Sequence, residues 1–126
     1  MDSTYVVGID IGGQTTKLGV VDARGTVLAQ TVIRTDTYTD IAPYISELVV
    51  ALNKVIADAG VEGKVKGIGV GAPNGNYYTG TIENAVNLSW GGTQTIDFSK
   101  LLSEAMNGLP VALTNDANAA AVGEMT

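Results

Sequence analysis

Gly8-Ile-Asp10-Ile-Gly12-Gly13-Gln14-Thr15-Thr16-Lys17 decides how this chain folds. The segment joins two apolar runs, Tyr5 to Ile11 and Leu18 to Val21, that are too short for helices and rich in β-branched residues. A tight antiparallel hairpin is predicted. Its connection carries two glycines, which can bring backbone N–H groups against an anion with no Cβ in the way, followed by hydroxyls and an ammonium. Such a connection suits a phosphate cradle. Asp10 ends an otherwise buried strand, where an unpaired carboxylate is costly; it suits Mg²⁺ held through water, because that ion keeps several waters and takes one or two carboxylates. The same residues also read as a plain Gly-Gly hairpin turn with threonines at ordinary strand positions.

Working outward, Asp22-Ala-Arg-Gly25 is a turn and Thr26 to Ile33 a third strand, which completes a meander. Ile41, Ile45, Leu48, Leu52, Val55, Ile56 and Ala59 share one face at helical spacing, with Thr39 or Asp40 as cap, Pro43 in the first turn and Gly60 as stop. Lys66 to Gly71 reads as a short buried strand, and residues 71–76 as a glycine-and-asparagine loop at its carboxyl end. Residues 77–84 are a small hairpin or an irregular excursion. A helix from about Asp97 to Met106 turns Phe98, Leu101, Leu102 and Ala105 inward, and Gly108-Leu-Pro110 separates it from the last strand. Asn115-Asp116 then stands between that strand and the alanine-rich run from Ala117. An amide and a carboxylate at a strand-to-helix corner lie where open α/β sheets bind ligands, and the carboxylate suits a general base. The plainer reading of the pair is an N-cap.

The order β-β-β-α-β-α-β-α predicts an α/β fold: a mixed five-stranded sheet, order 3-2-1-4-5, with helices on its faces. Right-handed crossovers bring the loops at Gly12, Ala72 and Asn115 to one edge. At 126 residues the chain is one domain, and 45% hydrophobic against 16% charged residues argues for a packed core. Seven basic against thirteen acidic residues leave a net charge of −6, with no electrostatic footprint for nucleic acid or an anionic membrane. No apolar run approaches a membrane span, no signal peptide is legible, and a cytoplasmic setting is expected. With no cysteine or histidine, acid–base chemistry must use a carboxylate, lysine or tyrosine.

At these residues the chain resembles the ROK sugar kinases, within the actin-like ATPase superfamily. The matching motifs are Asp10-Ile-Gly12-Gly13-Gln14-Thr15, Gly69-Val-Gly71-Ala-Pro73, Asn87-Leu-Ser-Trp90 and Asn115 through Glu124, in the family's order and over nearly the whole chain. The resemblance implies an actin-like ATPase, ribonuclease H-like domain. It implies a glucokinase-like, ATP-dependent hexose kinase, in which Asp116 is the base that deprotonates a sugar hydroxyl for attack on the γ-phosphate of ATP. Asn115 would bind ring hydroxyls, with Gly71, Ala72, Pro73, Asn74 and Gly75 as the loop closing over the sugar and Asn87 as a further sugar-binding position. Asp10, Gly12, Gly13, Gln14, Thr15, Thr16 and Lys17 would hold phosphates and Mg²⁺. Gln14 stands where the family usually has threonine, a departure that bears on phosphate contact and leaves Thr15 and Thr16 as the hydroxyls there; Asn74 replaces the usual glycine, which points to a sugar loop of different shape.

The family has two lobes, and this chain is shorter than half of a full member. Residues 1–126 are therefore expected to be the N-terminal, sugar- and phosphate-binding lobe, inactive by itself. The adenosine pocket, remaining sugar ligands and a structural zinc site would lie in a missing C-terminal lobe. With the first core strand starting at Tyr5, the DNA-binding segment some members carry is not expected here. Glucose or a related hexose and ATP are the expected small-molecule partners, with no nucleic acid or membrane partner, and the full-length protein is expected to be a homo-oligomer. Two alternatives stand beside this reading. One is a non-catalytic sugar-binding or regulatory domain of the same fold; the other is a ribonuclease H-like nuclease, which needs clustered acidic residues and usually a basic face.

Overall fold

The hairpin forms as its alternating apolar residues dictate. In the computed structural model, which describes residues 4–72, 75–76, 80–83 and 95–115, β1 (Tyr5–Ile11) pairs antiparallel with β2 (Thr15–Asp22), and β2 with β3 (Val27–Arg34). Inward positions of β1 and β2 carry Val7, Ile9, Ile11, Thr16, Leu18 and Val20, all buried. The turn between β2 and β3 is built as predicted: Gly25 has φ 82°, its N–H donates to the Asp22 carbonyl, and the Asp22 carboxylate accepts the N–H of Arg24 and of Thr26.

Helix α1 (Ile41–Ala59) follows and buries Tyr44, Leu48, Ala51, Leu52, Val55 and Ile56. It packs on β2 and β3. Gly60 ends it in the left-handed conformation at φ 70°, its N–H on the carbonyls of Ala57 and Ile56. Strand β4 (Val65–Ala72) then enters parallel to β1, and after an excursion β8 (Val111–Asn115) pairs parallel with β4. The five-stranded order is β3-β2-β1-β4-β8, as the crossover rule predicts when β8 is counted as the fifth main strand.

The excursion is more ordered than the sequence indicates. Short strands β5 (Gly75–Asn76), β6 (Thr81–Glu83) and β7 (Thr95–Ile96) form a second, antiparallel sheet; β5 falls in the stretch read as a loop, and β6 is the described part of the 77–84 stretch read as a small hairpin or an excursion. Helix α2 (Phe98–Ala105) packs on β8 and touches α1, so both described helices lie over the same face of the main sheet. Its apolar side is Phe98 and Leu102, with Met106 just beyond, while Leu101 and Ala105, both expected inside, are exposed, Leu101 by 40%.

That asymmetry corrects the reading of β4 as a buried strand. Val65, Ile68 and Val70 join the core, but Lys66 and Gly69 are exposed, because no described residue covers the second face. The open face is a row of small residues at aligned positions: Gly19 beside Gly8, Gly8 beside Gly69, Gly69 beside Ala112. Val6 and Val32 stand exposed on it. Among the described residues, no helix is long and apolar enough to cross a membrane.

Candidate functional site

Strand register brings the singled-out segments together. Asp10 lies opposite Lys17 on one side and Gly71 on the other; Gly71 lies opposite Thr114, and Ala72 opposite Asn115. With neighbouring strands ~4.8 Å apart, Asp10 and the end of β8 are separated by about two strand spacings, roughly 10 Å. The turn after β1, the end of β4 and the end of β8 thus share one rim of the sheet. Gly75 opens β5, which lies against β8, so the segment leaving β4 returns to the same place. Pro73, Asn74, Asn87 and Asp116 fall outside the described residues, and Asn115 is described in its backbone alone.

Asp10 is exposed, on the uncovered face. Lys17 is its cross-strand neighbour, also exposed, yet the two form no ion pair: the described ion pairs are Arg34–Asp36 and Lys54–Asp58. Both charges remain open to a ligand. No cluster of three or more acidic, histidine or cysteine side chains exists among the described residues, so nothing there forms an all-protein metal cage. One exposed carboxylate with room for water and phosphate oxygens fits Mg²⁺, which seldom takes more than one or two protein carboxylates.

The hairpin connection has two functions in its backbone. The Gly12 N–H donates to the Thr15 carbonyl at 2.9 Å and is consumed by the turn. A Cβ on Gly12 would sit 3.0 Å from that carbonyl oxygen, so a side chain here would press on the backbone of the turn. The N–H groups of Gly13 and Gln14 donate to no described residue, which leaves two adjacent donors at the rim. Such pairs bind anions.

Thr16 is the correction within this segment. It was expected among the phosphate-holding residues, but strand alternation turns it inward with Leu18 and Val20, while Lys17 faces the open side. Its hydroxyl is fully buried, 2.7 Å from the Thr35 hydroxyl and 2.6 Å from that of Tyr44. Thr35 and Tyr44 were not singled out from the sequence. Tyr44 could have been, since it precedes Leu48 and Leu52 at helical spacing; Thr35 gives no signal beyond following the β3 run.

Comparison with known proteins supplies the context. The model of the ROK family matches residues 6–126. A glucokinase of Halalkalibacterium halodurans is 35% identical over 99% of this chain and 37% of its own length. The ROK hexokinase of Thermus thermophilus superposes with a TM-score of 0.77 at 34% identity, covering 94% of this chain and 37% of that one. A ROK family glucokinase of Streptomyces griseus, solved with glucose and AMPPNP, gives 0.68 at 32% identity, covering 95% and 36%. The chain spans little more than a third of the length of these relatives.

Proposed function

The chain belongs to the ROK family, its sheet order and helices are those of the actin-like ATPase fold, and from that premise we propose that it is the N-terminal lobe of a two-lobed, ATP-dependent hexose kinase of the glucokinase type. The whole protein would transfer the γ-phosphate of ATP to a hydroxyl of glucose or a related hexose in the cytoplasm. The observation that carries this reading is the shared rim. Asp10, the free N–H groups of Gly13 and Gln14, the end of β4 and the end of β8 converge there through the register of three strands.

Each group has work that suits it. The N–H groups of Gly13 and Gln14, with Thr15 and Lys17 close by, would cradle phosphate oxygens, and Asp10 would hold Mg²⁺ through water. Bound Mg²⁺ neutralises phosphate charge. Asn115 and the segment from Gly71 to Gly75 would orient the sugar, and the Asp116 carboxylate would accept the proton of the attacking hydroxyl. Phosphoryl transfer depends mainly on positioning and charge neutralisation, with a carboxylate placed to take that proton, which matches this division.

The test is Asp116→Asn in the full-length protein, assayed by coupled sugar phosphorylation. Turnover is expected to fall ~10²-fold or more with sugar affinity within about tenfold, since the substitution removes the base and keeps the side-chain shape. Near-normal turnover would reduce Asp116 to a helix cap and end the assignment.

A further inference from the structure

Behind the rim, three buried hydroxyls meet. Thr16 comes from β2, Thr35 follows β3 directly, and Tyr44 sits in the first turns of α1; all three are fully buried. The Thr16 hydroxyl is the centre, 2.7 Å from Thr35 and 2.6 Å from Tyr44. One backbone bond adds to them: the Thr35 N–H donates to the Gln14 carbonyl at 2.8 Å. The Tyr38 ring meets Tyr44 edge-on, with centroids 6.1 Å apart.

This arrangement acts on the hairpin connection from the inside. Gln14 is held by its carbonyl while its N–H donates to no described residue, and Thr16, two residues on, is held by its side chain. Residues 12–14 therefore have a fixed anchor at their C-terminal end, and the anchor reaches α1. We propose that Thr16, Thr35 and Tyr44 are positioning residues that lock the Gly12–Gln14 loop to helix α1, and so fix the two N–H donors it presents. The consequence for phosphate binding rests on the function proposed above; the locking itself does not.

A buried hydroxyl that loses its partner retains its desolvation cost, so the network should open locally when one member is removed. Tyr44→Phe keeps the ring and removes one hydroxyl; Thr16→Val keeps the shape and removes the central one; Thr16→Ser keeps the hydroxyl. Amide hydrogen exchange on the full-length protein reads the lock. In Tyr44→Phe and Thr16→Val, exchange at Gly12 and Thr35 is expected to rise about tenfold or more relative to Leu52 and Val55 in the helix core, consistent with one net hydrogen bond. Thr16→Ser should restore it. Uniform acceleration across the protein, or no change at Gly12 and Thr35, overturns the proposal. If Thr16→Val does not fold, Tyr44→Phe alone carries the same comparison.

Kinetics separate the two readings. The KM for ATP should rise several-fold with the KM for sugar within about twofold, as expected when only the phosphate side loses its shape. A faster loop with an unchanged KM for ATP supports the lock and counts against the phosphate role of the loop.

Discussion

Gly12 and Gly8 lie four residues apart and demand different things of the backbone. A Cβ at Gly12 would meet the Thr15 carbonyl at 3.0 Å, whereas one at Gly8 would meet nothing within 4 Å. Gly12→Ala is expected to cost about 1–3 kcal/mol, because a backbone carbonyl must shift to make room. Gly8→Ala should leave the described core undisturbed. Urea midpoints for the two variants check the contrast. Tyr44 makes a second prediction. Burial raises the pKa of its hydroxyl above the ordinary value, against a smaller downward pull from the Thr16 hydrogen bond. The folded state therefore keeps this proton to higher pH than the unfolded state does. Its contribution is intact below about pH 10, the ordinary tyrosine value, and is lost as pH climbs from there toward the raised folded value. Tyr44→Phe should flatten that alkaline loss of stability; an identical slope would show that Tyr44 does not titrate through unfolding. Thr16 shows where residue-level reading stops. The hairpin motif grouped it with the phosphate ligands, but alternation in β2 sets it on the core side, and no motif records that parity.

Helix α1 has little local reason to be a helix. Asp40 stands at its N-cap without a side-chain cap bond, the first turn carries no acidic residue and the last turn no basic one. Its stability comes from the face that packs on β2 and β3, so Leu52→Ala is expected to cost about 2–5 kcal/mol. Gly60→Ala should cost about 1–2 kcal/mol, the penalty for a side chain at left-handed φ. Denaturant unfolding measures both, and the loss at Leu52 should be the larger. The helix was legible because its apolar positions recur through five turns. The strands β5, β6 and β7 were not, since two or three residues hold too few positions to display alternation. The two-sided burial expected of β4 failed for another reason: which residues of a strand are covered depends on what packs above each face, and that information lies elsewhere in the chain.

For the molecule as a whole, crossover handedness and element order were enough to predict the strand order, and with it the shared rim. What sits opposite the rim was not legible. If the proposed two-lobe architecture holds, the 126-residue chain alone should form no sugar phosphate from glucose, Mg²⁺ and ATP. Nothing would close over the site to exclude water or hold reacting atoms ~3–3.5 Å apart. Turnover by the purified chain, verified by mass, would overturn that architecture. The order of the sheet also carries a schedule. Strands β1, β2 and β3 are joined by short turns, while β4 reaches β1 only across α1, and β8 reaches β4 only across the second sheet and α2. Contacts between near neighbours in sequence close sooner than those spanning long stretches, because loop closure costs entropy first. In pulse-labelled refolding, amides of β1 to β3 should gain protection before those of β4, and β8 should come last. The place where Asn115 meets Ala72 would then be the youngest junction of the main sheet, absent until its other strands have paired.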